Sequence, residues 1–456
     1  MAIENNEIKV PKRILNTLLS SLSAGVVPRS GAPYIAIGRK EEINSILDNL
    51  DAVAEGGAAT RFLIGRYGSG KSFLIQLIRG YALERGFICA DADLSPERRL
   101  TGGSGAGLAT YRELMINLSS KASPDGGALS TILSRHLTKL KTEILEDGIL
   151  PDSESFESEL KKRVFLLLSE LEGDVGGFDF ARVLGEYYMA SLKDEGEKKS
   201  ASLRWLRGEF ANKTEASAML GFRVSTVIDD ENWYDFIKLV ASLSVKIGYS
   251  GLILFIDECV NLYKIPNRIS REANYEKILT IFNDTLQGKA KNLGVIFGGT
   301  PQFLEDSRRG LFSYEALKSR LADSKYSELG YQNLSSPVIR LRRLSDNELL
   351  ALVRRLTKLY MQKEGTPIPP LTDSQIETFM RIALSRAGAE EMITPREIIR
   401  DFLTLLNILR DNETATFESL IKNISFAYAD GGEEKTERQN SETQTKNKIS
   451  LFDIDI

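Results

Sequence analysis

The feature that most constrains this 456-residue chain is a glycine-rich stretch, Gly65-Arg66-Tyr67-Gly68-Ser69-Gly70-Lys71-Ser72. A short apolar run, residues 61–64, leads into it, and residues 72–82 after it have the apolar spacing of a helix. The stretch matches the pattern G-x-x-x-x-G-K-[ST], in which backbone N–H groups curl around phosphates and the positive end of the following helix faces them. The sequence therefore predicts a strand, a phosphate-binding loop (P-loop) and a helix, in that order.

The P-loop residues have different expected tasks. Lys71 would reach the β- and γ-phosphates of ATP, and the Ser72 hydroxyl would bind Mg²⁺. Backbone contacts to the phosphates would come from Gly65, Gly68, Ser69 and Gly70. A glycine-rich turn can precede a helix by chance, but at average composition the full pattern arises in only about a few per cent of chains this long. Nucleotide binding is therefore the favoured interpretation.

A second signal is the apolar run 252–256, which ends in Asp257 and Glu258. Such a run is typical of a buried parallel strand that delivers carboxylates to its C-terminal end. Asp257 would hold Mg²⁺, and Glu258 would polarise the water that attacks the γ-phosphate. An exposed acidic strand end is common in any protein, and the P-loop is what favours the functional interpretation.

The pattern along the chain predicts an α/β fold with a parallel sheet, because strand candidates at 87–90, 293–297 and 338–341 alternate with helical stretches. The middle of the chain and its C-terminal part are helical without convincing strands. The almost entirely polar end cannot bury enough apolar area to offset the entropy of ordering, so it is predicted to be disordered. The expected parts are an N-terminal helical segment (1–30), the first part of an ATPase core (31–104), a helical insertion (105–228), the second part of the core (229–342), a helical lid (343–429) and a tail (430–456).

The scarce residue types exclude other chemistry. One histidine, His136, rules out a His-rich metal site, and two cysteines cannot form a Cys₄ zinc site. Cys89 and Cys259 lie in apolar runs, which favours two buried thiols over a disulfide. We expect His136 to be solvent-exposed on a helix. Asp91 and Asp93 follow a strand candidate, and a loop cap is favoured over a second metal site.

Composition also bears on location and partners. The sequence starts without a secretory leader and contains no apolar run near the ~20 residues that span a bilayer, which predicts a cytoplasmic protein without a membrane partner. The net charge of −4 gives no overall attraction to nucleic acid. Basic groups nevertheless cluster at Arg308-Arg309, at Lys289 with Lys291 and near Arg342. Charged helix faces are the default interpretation of these clusters, and DNA contact is the alternative.

The motifs together resemble those of AAA+ ATPases, particularly the branch with Orc-like and STAND-like proteins. Gly38-Arg39 followed by Glu42 resembles the GR…E element of that branch, which implies that Arg39 lies near the adenine. Residues 294–299 resemble the sensor 1 strand, so the resemblance assigns Thr300 to the γ-phosphate or the attacking water. It implies an AAA+-like P-loop NTPase with a parallel sheet, a helical insertion and a C-terminal helical lid domain.

Two further elements carry implied roles for arginines. Residues 317–321 resemble the segment with the arginine finger, which implies that Arg320 enters the site of a neighbouring subunit in a homo-oligomer. A surface arginine on an amphipathic helix is the alternative. Thr394-Pro395-Arg396 opens a helix and resembles sensor 2, which implies that Arg396 reaches the γ-phosphate from the lid.

The resemblance narrows at Trp205-Leu206-Arg207-Gly208-Glu209 and Gly248-Tyr249-Ser250-Gly251-Leu252, which are similar to elements of the ATP-binding proteins of BREX-type bacterial phage-defence systems. It covers most of residues 8–428. It implies an ATPase that uses ATP and Mg²⁺, acts beside defence proteins such as a superfamily 2 DNA helicase, and couples its nucleotide state to a partner or to DNA. A non-hydrolysing nucleotide switch or helicase loader, and a STAND-like signalling scaffold, remain alternatives. Trp205 itself would either stack on a base or anchor the insertion.

Overall fold

The computed structural model describes residues 9–103, 105–151, 153–171, 176–323, 333–364, 371–384 and 394–423. The predicted tail, 430–456, lies outside the described residues, as do residues 1–8 of the predicted N-terminal segment. The last residues of the predicted lid, 424–429, also lie outside them.

Five parallel strands form a sheet with the order β2-β3-β4-β1-β5. The strands are β1 (Ala58–Ile64), β2 (Ile88–Asp93), β3 (Leu252–Asp257), β4 (Leu293–Gly299) and β5 (Val338–Arg340). The predicted α/β class with a parallel sheet is confirmed. Because the strands are parallel, the residues that follow β1, β3 and β4 all emerge at one edge of the sheet. The P-loop, Glu258 and Thr300 are therefore neighbours in space.

The central strands are apolar throughout because helices cover both faces of the sheet. All six residues of β3 and all seven of β4 are buried. Successive residues of β3 alternate between the two faces: Ile253 packs with α2 and α3, and Leu254 packs with the helices of the opposite face. The first three helices are α1 (Lys12–Ser23), α2 (Lys40–Ala54) and α3 (Lys71–Glu84).

Seven helices occupy the described chain between β2 and β3, where the sequence predicts helical structure. They are α4 (Ala106–Ile116), α5 (Leu129–Glu146), α6 (Glu154–Ser169), α7 (Gly177–Leu192), α8 (Gly196–Leu206), α9 (Lys213–Leu220) and α10 (Trp233–Lys246). Their apolar side chains join those of one sheet face in a continuous core. Trp205 is part of that core: its ring packs edge-on against Phe236 at 5.5 Å, and its Nε1 donates to the Thr226 carbonyl at 3.3 Å. The anchoring interpretation of Trp205 agrees with this burial.

Two expectations from the sequence are wrong: the exposure of His136 and the capping role of Asp91 and Asp93. His136 is only 7% exposed, because α5 turns it towards α7, where its Nδ1 lies 2.9 Å from the Tyr188 hydroxyl. Burial, followed by the charge of Lys139, lowers the pKa of His136 to about 4. Asp91 and Asp93 do not cap a loop, because β2 continues through both of them. Both cysteines are buried thiols, as expected.

The remaining helices fall into two groups along the chain. Those between β3 and β5 are α11 (Val260–Tyr263), α12 (Arg268–Leu286), α13 (Pro301–Glu305) and α14 (Glu315–Leu321); those after β5 are α15 (Asp346–Glu364), α16 (Asp373–Leu384), α17 (Pro395–Asp411) and α18 (Phe417–Asn423). The last group has its own apolar core, and the N-terminal helix α1 contributes Leu15 and Leu18 to it beside Phe402 of α17. The two ends of the described chain thus pack together next to the P-loop.

Candidate nucleotide-binding site

The P-loop connects β1 to α3, and at three of its positions a side chain would be strained or crowded in this conformation. Gly68 and Gly70 have φ values of +74° and +89°, the left-handed region that glycine enters at low cost. Gly65 is restricted by space, because a Cβ there would lie 2.2 Å from the Ser69 hydroxyl oxygen. The spacing of the glycines in the motif therefore follows from the backbone path around an open centre.

Lys71, the first residue of α3, points into that centre. Its Nζ donates to the Gly65 carbonyl at 3.0 Å, so the ammonium group is held by the loop itself. Burial lowers the pKa of Lys71, and the charges of Asp257 and Glu258 oppose that shift. A phosphate that replaced the Gly65 carbonyl as the acceptor of this hydrogen bond would contact both the Lys71 ammonium and the N-terminus of α3, a helix of 14 residues.

Ser72 and Asp257 are brought together as the sequence predicts. The Ser72 hydroxyl donates to Asp257 Oδ2 at 3.0 Å, and the other carboxylate oxygen accepts the backbone N–H of Glu258 at 2.8 Å. One hydroxyl and one carboxylate suit Mg²⁺, which prefers oxygen ligands and completes its shell with phosphate oxygens and water. Within the described ranges, no three His, Cys, Asp or Glu side chains converge as a metal site. Phosphate and water would therefore have to supply the other ligands.

Glu258 lies at the mouth of this site and is solvent-exposed. Its φ is +55°, a left-handed conformation that costs a non-glycine residue about 1–2 kcal/mol. The turn directs the chain from β3 into α11 immediately after Asp257. Such strain at a strand end is typical of functional sites, where the surrounding structure maintains it.

Asp93 is a third carboxylate at this edge of the sheet, to which the sequence pattern assigns no functional role. It is the register partner of Asp257 on the neighbouring strand. Desolvation, followed by the charges of Asp257, Asp91 and Glu258, raises the pKa of Asp93 to about 6. The signal that could have revealed it is an acidic residue at the C-terminal end of a strand parallel to β3.

Arg39 is buried beside the P-loop, with 6% of its surface exposed. Its guanidinium donates to the Ser69 carbonyl at 2.9 Å, to Glu42 at 3.3 Å and to the Arg342 carbonyl. Burial lowers the pKa of Arg39, and the Glu42 charge opposes that shift. Arg39 thus braces the backbone of the phosphate loop while it also lines the adjoining cavity.

That cavity, of about 330 Å³, lies between the P-loop and the C-terminal helices. Its polar lining comes from P-loop residues, Arg39, Glu258 and Arg396. Its apolar walls are formed by Leu22, Val26, Val27, Pro28, Ile35, Ile37, Leu344, Leu352 and Ile399. A cavity lined by apolar side chains and by cations suits a ligand with a planar base and phosphate groups. Arg396 and Lys71, far apart in sequence, line the same cavity.

The N-terminus of α17 touches the P-loop directly. A Cβ on Gly68 would lie 2.4 Å from Thr394 Cγ2, so the glycine also makes room for the helix start. Thr394 and Glu397 form a reciprocal capping box that fixes this helix start. Two helix N-termini, those of α3 and α17, therefore converge on the same loop.

Thr300 and Arg320 are placed differently from the residues above. Thr300 follows β4 beside the P-loop, lines a second cavity of about 860 Å³ and caps α13 by accepting the Phe303 N–H at 3.3 Å. Arg320 lies exposed on α14, and its guanidinium donates to the Ala316 carbonyl one turn earlier at 2.7 Å. Arg320 lines neither of these two cavities. Its implied role in a neighbouring subunit stays a prediction.

The basic cluster near Arg342 is neutralised by carboxylates. Arg340 pairs with Glu305 and with Asp323 at 2.7 Å, and Arg342 forms a two-pronged pair with Glu348. Phosphates of DNA would have to displace these carboxylates, which weakens the alternative of a DNA contact there. No helix of the described chain is long and apolar enough to cross a bilayer.

Comparison with known proteins places this site in a family. None of the curated proteins matches the chain. The family model for the BREX system ATP-binding protein BrxC/D matches residues 10–425, which include the P-loop, Asp257 and Arg396. Because the match extends over most of the chain, the protein belongs to the family of BREX system ATP-binding proteins BrxC/D.

Proposed function

We propose that this protein is an AAA+-like ATPase of a phage-defence system, and that it couples ATP binding and hydrolysis to a partner. The observation that carries the proposal is that Lys71 and Ser72 line one cavity, and that the Ser72 hydroxyl donates to the Asp257 carboxylate. Family membership supports the ATP-binding part of the proposal.

In the proposed complex, the phosphates lie in the P-loop and the base lies against the apolar walls near Val27 and Ile399. Lys71 exchanges the Gly65 carbonyl for phosphate oxygens. Arg396, which lines the same cavity from α17, adds a second cation near the γ-phosphate. Ser72 and Asp257 would hold Mg²⁺, whose positive charge would offset the negative charge on the phosphate oxygens.

For hydrolysis, we assign Glu258 to the attacking water. Its exposed carboxylate lines the cavity next to Lys71 and can accept a proton from a water between it and the γ-phosphate. Thr300 would orient that water from the end of β4. Arg320 would act from a neighbouring subunit of a homo-oligomer, since it is exposed and lines neither cavity described above.

The C-terminal helices would act as the lid. Thr394, the N-cap of α17, contacts the P-loop, so a change of phosphate occupancy would move the start of that helix. We propose that the resulting movement alters a surface that binds a protein partner, of which a superfamily 2 DNA helicase is one candidate. DNA itself is the less supported partner, because Arg340 and Arg342 are paired with carboxylates.

A non-hydrolysing switch or loader is the second candidate. It is favoured by Thr300, whose hydroxyl is already engaged as the cap of α13. The two candidates differ in phosphate release measured with and without DNA or a partner. Under the ATPase proposal, wild type releases phosphate over many turnovers, Lys71→Ala binds nucleotide far more weakly, and Glu258→Gln binds ATP without releasing phosphate. If both variants kept full turnover, the assignment of the site would be wrong.

A further inference from the structure

Arg39 lies at the joint between the sheet and the C-terminal helices and makes contacts on both sides of it. On the sheet side it donates to the Ser69 carbonyl of the P-loop at 2.9 Å. On the other side it donates to the Arg342 carbonyl in residues 341–345, the connection between β5 and α15. Glu42, three residues further along α2, accepts from the same guanidinium and offsets the burial of its charge.

The connection is in turn fastened to α15. The Arg342 guanidinium donates to both oxygens of Glu348 at 2.6 Å, and Glu348 also accepts the Ser345 N–H at 2.7 Å. The hydrogen bonds from Arg342 hold the pKa of Glu348 down at about 2, so this carboxylate is charged in all ordinary buffers. Gly38 packs against the same carboxylate, because a Cβ there would lie 2.2 Å from Glu348 Oε1. An unbroken series of contacts thus leads from Ser69 through Arg39 and Arg342 to Glu348.

Two features at the P-loop end of this series of contacts favour a change of loop conformation when phosphate binds. The Ser69 hydroxyl is buried and has no hydrogen-bond partner among the described residues. The Lys71 ammonium donates to a loop carbonyl whose place a phosphate would take. Both features favour a rearrangement of the loop when phosphate enters, and Ser69 lies in the part that would move.

We propose that Arg39 is a positioning residue that transmits phosphate occupancy of the P-loop to the start of α15. A shift of the Ser69 carbonyl moves the Arg39 guanidinium, which also donates to the Arg342 carbonyl. Residues 341–345 therefore move with the P-loop. The inference rests on the proposed nucleotide binding. Simultaneous donation to the Ser69 and Arg342 carbonyls requires the planar guanidinium of arginine, because the ammonium group of lysine is a point charge that cannot reproduce this geometry.

Hydrogen–deuterium exchange of the full chain, with and without a non-hydrolysable ATP analogue and Mg²⁺, tests the proposal. In wild type the analogue should slow exchange in residues 65–72 and change it in residues 341–349. Arg39→Lys is measured at a saturating concentration of the analogue, because Arg39 also lines the cavity, and it should lose most of the response of 341–349. Arg85→Lys is the matched control, since Arg85 also joins a carbonyl and a carboxylate, those of Leu47 and Asp51 on α2, away from the P-loop. It should behave as wild type.

The outcomes distinguish nucleotide binding from the relay, by which we mean the proposed transmission from Ser69 through Arg39 and Arg342 to α15. A wild type without slower exchange in the P-loop would refute the proposed function and the relay with it. A P-loop response without one at 341–349 would refute the relay alone. So would an Arg39→Lys protein that keeps the wild-type response of 341–349 at a saturating concentration of the analogue. Glu348→Gln, at the far end and on a more accessible residue, should also lose only the response of 341–349, and an unchanged response there would equally overturn the proposal.

Discussion

Replacing Gly68 with alanine should uncouple α17 from the P-loop, and the structure sets the size of the effect. At a φ of +74°, a Cβ costs about 1–2 kcal/mol in backbone strain. The new methyl group would also lie 2.4 Å from Thr394 Cγ2, whereas carbon atoms in ordinary contact are about 3.5–4.0 Å apart. Overpacking of this kind costs about 1–3 kcal/mol unless the helix moves away. The sum predicts a loss of about 2–5 kcal/mol in the free energy of unfolding.

Chemical denaturation followed by circular dichroism measures this loss, and two further variants divide it. Gly221→Ala is the control for strain alone, because its φ is +79° and a Cβ there meets nothing within 4 Å. Thr394→Ser removes Cγ2 and keeps the hydroxyl that caps α17, but its Cβ would still lie 2.8 Å from the new methyl group. Adding it to Gly68→Ala should therefore recover only part of the overpacking cost, about 1 kcal/mol. Equal losses for Gly68→Ala and Gly221→Ala, or no recovery in the double variant, would refute the contact between α17 and the loop.

Three further predictions concern the metal pair, the buried histidine and the exposed arginine. Ser72→Ala should raise the Mg²⁺ concentration needed for half-maximal phosphate release by about tenfold, for one lost ligand; an unchanged Mg²⁺ dependence would contradict the metal role of Ser72. Because burial lowers the pKa of His136 to about 4 from an unfolded value of 6.5, the unfolded state binds more protons below pH 6.5. Between pH 7 and pH 5, the free energy of unfolding of wild type should therefore fall by about 2 kcal/mol more than that of His136→Gln, as measured by denaturant titration. Equal losses would contradict the assignment of this pH dependence to His136. Arg320→Ala and Glu258→Gln should each lack turnover alone and regain part of it when mixed, if Arg320 acts on a neighbouring subunit; mixtures without activity would count against that role.

The sequence predicts well those features whose residues are contiguous. The P-loop is a single stretch in which glycine spacing, Lys71 and Ser72 follow directly from the backbone path. The strand before Glu258 is recognised by its apolar run, because β3 is buried on both faces. These local patterns suffice to predict an α/β fold with a nucleotide site.

The sequence does not predict features that depend on partners distant along the chain. His136 is buried against Tyr188, 52 residues away, and helical spacing alone does not show which face of α5 meets α7. The sequence does not reveal that Arg39 binds the Arg342 carbonyl, because the two residues are 303 positions apart. Asp93 becomes part of the site only through its register with Asp257, which depends on the order of the strands. In each case the partner is set by tertiary packing.

The most direct measurement is a calorimetric titration of ATP and Mg²⁺ into wild type and Lys71→Ala. Each charge-assisted hydrogen bond from Lys71 to a phosphate contributes about 1.5–3 kcal/mol, so losing one should weaken binding about 10- to 150-fold. Lys121→Ala is the control, since Lys121 pairs with Glu84 on the exposed surface. We expect one ATP per chain for wild type and Lys121→Ala, and strongly weakened binding for a folded Lys71→Ala. Equal affinities in all three proteins would contradict the P-loop as the nucleotide site.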